Sequence, residues 1–114
     1  MQEADRIRLR HMLDASRQAL EFSQNRTRAD LDDDLMFLLS LVKLIEIVGE
    51  AARQVTNEGR ADAQGIPWPD IIGMRNRLVH MYFAIDHDVL WATVKYDLPL
   101  LIPLLEQALG EGTG

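Results

Sequence analysis

The chain has 114 residues, no cysteine and no Pro/Gly/Ser-rich stretch between two apolar halves, so it fits one domain over 1–114 and excludes disulfide frameworks and thiolate metal sites. Hydrophobic residues make up 47% but aromatics only 6%, a core of Leu, Ile, Val, Ala and Met that suits helix-on-helix packing and points away from a β-sandwich. The net charge of −6 excludes a broad basic face that coats a polyanion, so any such contact must be local. The first residues mix charges where a secretory leader needs a basic and then an apolar run. The apolar stretches from Leu35 to Val42 and from Leu98 to Leu105 fall short of the roughly 20 residues of a membrane span. A soluble protein of the reducing cytoplasm is expected.

Leu9, Met12, Leu13, Ser16, Ala19 and Leu20 recur at three- and four-residue steps, predicting an amphipathic helix from about Gln2 to Ser23. Thr27 and Asp30 resemble a capping box and predict a second helix from about Arg28 to Val55. Asp30, Asp32, Asp33 and Asp34 crowd its first turns, where the helix dipole favours carboxylates; a solvated acidic start is preferred to a metal site. The helix carries two apolar stripes, one through Leu31, Leu35, Leu38, Val42, Ile45, Gly49 and Ala52, the other through Phe37, Leu41, Leu44, Val48 and Ala51. So wide a buried face places it centrally, or shares it with a second subunit.

Thr56 to Gly65 is polar with two glycines and is expected to be a loop. Pro69 suits the first turn of a third helix, with Asp70 beside it, running through Ile71, Ile72, Met74, Leu78 and Val79 to about His80–Phe83. Asp86 or Asp88 would cap a fourth helix. Pro99 and Pro103 predict a kink near Asp97–Leu100, with the last segment ending at Leu109–Gly110. Trp68 and Trp91 are assigned to the core, and His11 and His87 to no role.

The chemistry concentrates between Met74 and Phe83, where Arg75, Asn76, Arg77, His80 and Tyr82 fall within eight positions. On a continuous helix Asn76 and His80 would share a face, with Arg75 and Tyr82 on a neighbouring one. Unwinding just after His80 would let imidazole and guanidinium enter one cleft. Arg suits bidentate grip on phosphate oxygens and His moves protons near neutral pH, a pair fit for phosphodiester chemistry without a metal. Taken singly, a His near a helix end is more often a capping group, and Arg commonly pairs with carboxylates. Glu50, beside Gly49, is a further candidate for the cleft, against a helix-surface or Arg-paired position. Lys43 and Arg53 are expected on a solvated helix face, with a widened local positive patch as the alternative.

Arg75-Asn76-Arg77-Leu78-Val79-His80-Met81-Tyr82 resembles the Arg-x4-His-x-Tyr motif of HepT-like proteins, a branch of the HEPN class. Ile47-Val48-Gly49-Glu50-Ala51-Ala52, Trp68-Pro69-Asp70-Ile71 and Asp97-Leu98-Pro99 resemble the family's other recurrent stretches, so the similarity runs from about Leu31 to Leu109. The resemblance implies an all-α, up-and-down bundle of four to five helices, HEPN-like, that forms a homodimer. It implies a metal-independent endoribonuclease toxin, acting on RNA with no cofactor, in which Arg75 and His80 are catalytic and Asn76 and Glu50 support them. It further implies a minimal nucleotidyltransferase antitoxin as partner, which silences the toxin by AMPylation of Tyr82. The alternative is a non-catalytic HEPN subunit that holds a nucleotidyltransferase or its nucleotide substrate.

Overall fold

The computed structural model describes residues 1–80 and 84–111, and of His80 only the backbone. The architecture is an all-α bundle. Helix α1 spans Glu3–Phe22, α2 Asp30–Asp33, α3 Leu35–Gln54, α4 Asn57–Asp62, α5 Trp68–Ile72, α6 Met74–Leu78, α7 His87–Ala92 and α8 Leu98–Leu109. A π-helical stretch over Thr93–Asp97 joins α7 to α8. The extended pairs β1 (Val79–His80) and β2 (Ala84–Ile85) run antiparallel, Val79 opposite Ile85 and His80 opposite Ala84.

α3 is the centre of the bundle. It packs along α1 on one side and against α5 and α6 on the other, while α8 closes over α1. Both expected stripes of α3 are buried, with one exception: Leu35 is 66% exposed. Leu9, Met12 and Leu13 of α1, Leu98, Leu101 and Leu105 of α8, and Met74 and Leu78 of α6 complete one continuous cluster of buried side chains. Trp68 belongs to it and donates its indole N–H to the Ala63 carbonyl at 3.2 Å. Trp91 packs against its edge.

The expected second helix is broken. Asp34 takes an extended conformation (φ −126°, ψ 96°) and its side chain accepts from the Phe37 N–H, so it ends α2 and caps α3. The acidic cluster is used as caps and ion-pair partners. Asp30 accepts from the Thr27 N–H at 2.7 Å and from Arg26, which also reaches Asp34. Arg28 pairs with Asp32 and Asp88, and Nδ1 of His87 lies 2.7 Å from Asp32. These contacts fasten α2 to the first turn of α7, where Asp86 caps Val89 as expected.

The expected loop from Thr56 to Gly65 contains α4, because Thr56 caps it by accepting from the Gly59 N–H. That cap is itself held from far away in sequence. Asp5, buried in α1, accepts from the Thr56 N–H at 3.0 Å and from its hydroxyl. Gly59 is required there, since a Cβ would collide with the Asp5 carboxylate and with Val55. These two hydrogen bonds from Thr56 hold the Asp5 carboxyl below its ordinary value of 3.8, against the opposing effect of burial.

The expected third helix is interrupted twice. Gly73 ends α5 and starts α6 in a tight approach: a Cβ would lie 3.3 Å from the Pro69 carbonyl oxygen. α6 then stops at Leu78, before His80, because Val79 is already extended (φ −106°, ψ 111°) and the Leu78 carbonyl accepts from the Asp86 N–H at 2.7 Å. The shared helical face expected for Asn76 and His80 is therefore absent. Just before the kink expected near Asp97–Leu100, the chain widens into the π-helical stretch, and α8 starts with Pro99 in its first turn and continues through Pro103. Gly110 closes it in a left-handed conformation (φ 75°).

Two predictions follow from these contacts. Asp5→Ala leaves the Thr56 N–H without its buried acceptor and should lower the unfolding free energy by about 1–3 kcal/mol in urea titrations. Because the folded-state pKa is depressed, the ionised Asp5 stabilises above its ordinary pKa, and that stabilisation is lost as pH falls through the folded value. The gap between wild type and variant should narrow below pH 3.8. Secondly, a Cβ on Gly49 would sit 3.4 Å from the Ile71 carbonyl oxygen, an ordinary contact. Gly49→Ala should be tolerated, whereas Gly49→Val forces α5 off α3 and should cost about 1–3 kcal/mol; equal melting temperatures for the two variants would contradict this close approach.

Candidate active site

A cleft of about 500 Å³ opens between the C-terminal half of α3 and the α5–α6 corner, lined by Lys43, Glu46, Ile47, Gly49, Glu50, Arg53, Ile72, Arg75 and Asn76. Its geometry follows from two anchors. Met74 and Leu78, four residues apart, bury α6 into the core, so Arg75, Asn76 and Arg77 between them are turned outward. Arg75 and Asn76 line this cleft, whereas Arg77 lines a separate groove with Asp70, Asp97 and Leu100 on the other side of α6. Gly49 lies on the floor, where the Ile71 and Ile72 carbonyl oxygens would stand 3.4 and 3.7 Å from a Cβ.

Three of the expected site residues thus meet in one place. Arg75, Asn76 and Glu50 share the cleft, and Glu50 is exposed there. Lys43 and Arg53, expected on a solvated face, also line it, so three cations stand against the two carboxylates Glu46 and Glu50. That is a local cationic excess on an acidic chain, the one arrangement by which such a protein can hold a polyanion. The His80 backbone is placed by β1, directly after α6; Tyr82 lies outside the described residues.

The sequence reading missed Glu46. Its Oε1 accepts from Arg75 Nε at 3.4 Å, a loose, half-exposed ion pair. A signal was available: Met36, Leu39, Lys43, Glu46, Glu50 and Arg53 follow one another at three- and four-residue steps along α3. This stripe is the face of α3 that the core leaves uncovered. Its first part is apolar, with Leu35, Met36 and Leu39 exposed by 66%, 83% and 50%.

Chemically, the cleft offers guanidinium and ammonium groups for phosphate oxygens, an amide for a further hydrogen bond, and carboxylates for orientation. Among the described residues, no helix is long and apolar enough to cross a membrane.

The comparisons with known proteins agree with this chemistry. Residues 12–108 match the family model described as "Ribonuclease HepT-like". The "Putative RNase MJ1380" of Methanocaldococcus jannaschii is 33% identical over 88 residues, covering 77% of this chain and 81% of the relative. The "Probable ribonuclease HepT" of Thermococcus cleftensis is 36% identical over 81 residues, covering 71% and 74% respectively. No solved structure gives a significant match. The cleft built around Arg75, the motif that continues from it and the extent of these similarities lead to one assignment: the chain belongs to the HepT-like ribonuclease family.

Proposed function

We propose that the protein is a metal-independent endoribonuclease toxin that acts as a homodimer, with Arg75 and His80 as its catalytic residues and Asn76 and Glu50 in support. The observation that carries this reading is the joint presence of Arg75, Asn76 and Glu50 in one cleft with Lys43 and Arg53. In the reaction, the ribose 2′-oxygen attacks the phosphorus, its proton passes to a base, and the 5′-oxygen leaves as it takes a proton from an acid. Arg75 stabilises the charge that builds on the phosphorane oxygens. One motif supplies one imidazole, so the acid and the base require His80 from each of two copies.

The uncovered face of α3 supports the dimer. Leu35, Met36 and Leu39 form an apolar patch that leads along the same helix into the cleft, so a second copy seated on the patch would stand beside Arg75. We further propose that a minimal nucleotidyltransferase antitoxin, active with this toxin in the cytoplasm, silences it through Tyr82. The phenol oxygen attacks the α-phosphate of ATP, pyrophosphate leaves, and the new AMP group obstructs the RNA path by volume and by like charge.

Three measurements test these statements. With a chelator present, the purified protein should cleave RNA, His80→Ala should abolish cleavage, and Arg10→Ala, which alters only an exposed ion pair with Glu111, should retain it. Identical behaviour of both variants would sink the assignment; cleavage by neither the wild type nor any variant, with retained binding of the nucleotidyltransferase, would favour a non-catalytic holding subunit. Met36→Glu with Leu39→Glu should convert the dimer to a monomer by light scattering and lower cleavage with it. Incubation with the antitoxin and ATP should add one adenylyl mass, absent in Tyr82→Phe.

A further inference from the structure

A carboxylate beside a phosphate-gripping cation weakens attraction for RNA, so the place of Glu46 needs a physical reason. Among the described residues, Glu46 is the one polar partner of Arg75, and the contact uses Nε, leaving Nη1 and Nη2 without a partner. Lys43 stands three residues earlier on the same stripe, a spacing at which helical ion pairs commonly form. Glu46 makes no such pair with it and reaches across the cleft to α6 instead. An arginine has several rotatable bonds, and an acceptor on Nε narrows that freedom while keeping the bidentate edge open.

We propose that Glu46 is a positioning residue for Arg75, holding the guanidinium by Nε so that its Nη edge meets the phosphate group of the RNA strand in the cleft. This rests on the ribonuclease reading above. The contact is long, at 3.4 Å, and half exposed, so it biases the direction of the guanidinium without neutralising it. The pair also explains why the cleft keeps two carboxylates among its cations: one of them sets direction.

The test uses the full chain with Glu46→Ala and Glu46→Gln, the amide oxygen of the latter being able to accept from Nε. The ¹H–¹⁵N resonance of Arg75 Nε–Hε, assigned by its loss in Arg75→Lys, should keep its position in Glu46→Gln and move to that of a free arginine in Glu46→Ala. On an RNA oligonucleotide, Glu46→Ala should lower kcat by between about ten- and a hundredfold with little change in KM, and Glu46→Gln should remain within about threefold of wild type. An unmoved resonance in Glu46→Ala would overturn the proposal. So would faster cleavage in both variants, which would mark Glu46 as a mere repulsive charge. Absence of cleavage by the wild type counts against the ribonuclease reading, while the resonance still decides whether Glu46 holds Arg75.

Discussion

Burial of one continuous half of α3, shared between α1 and the α5–α6 pair, is the constraint from which the other features follow. A helix of 20 residues that packs on α1 with one face and on α5 and α6 with another keeps little more than a single stripe for solvent. The four charged residues of α3, Lys43, Glu46, Glu50 and Arg53, all stand on that stripe. At Gly49 the carbonyl groups at the end of α5 come within van der Waals reach of where a Cβ would be, so the groove floor there has room for little more than a methyl group. Packing and chemistry are therefore fixed by the same helix.

The short helices have a different origin. α2, α4, α5 and α6 run for four to six residues each, too few for favourable helix propagation in isolation. Each depends on contacts with the rest of the molecule: α4 on Asp5, α2 on His87 and Asp88, α5 on the burial of Trp68 and Ile71, and α6 on that of Met74 and Leu78. The arginine of the motif thus owes its direction to two apolar neighbours in sequence and to a carboxylate on another helix.

This explains what could be read from the sequence. The long helices were legible because burial on one face imposes a 3.6-residue period, and α1 and α3 carry it over many turns. Local caps with a strong side-chain signal, such as Asp86, were legible too. The break at Asp34 was hidden, since an N-capping Asp inside a run of aspartates looks like part of an acidic first turn. α4 was hidden because its six residues show no apolar period and its cap is held by Asp5, 51 positions away. At the candidate site, Arg75 and Asn76 were legible from the motif, and Glu50 only as a lesser candidate for the cleft. Glu46 went unread although it stands on the same exposed stripe, because nothing in the sequence pairs it with Arg75, 29 positions away.

Every residue that lines the cleft lies between positions 43 and 76, whereas α1 and α8 supply much of the remaining core from the two ends of the chain. The two ends of the chain therefore close the bundle around a cleft built wholly from its middle. Loosening of α1 would reach that cleft without touching its lining, through the helix on which most of the lining stands.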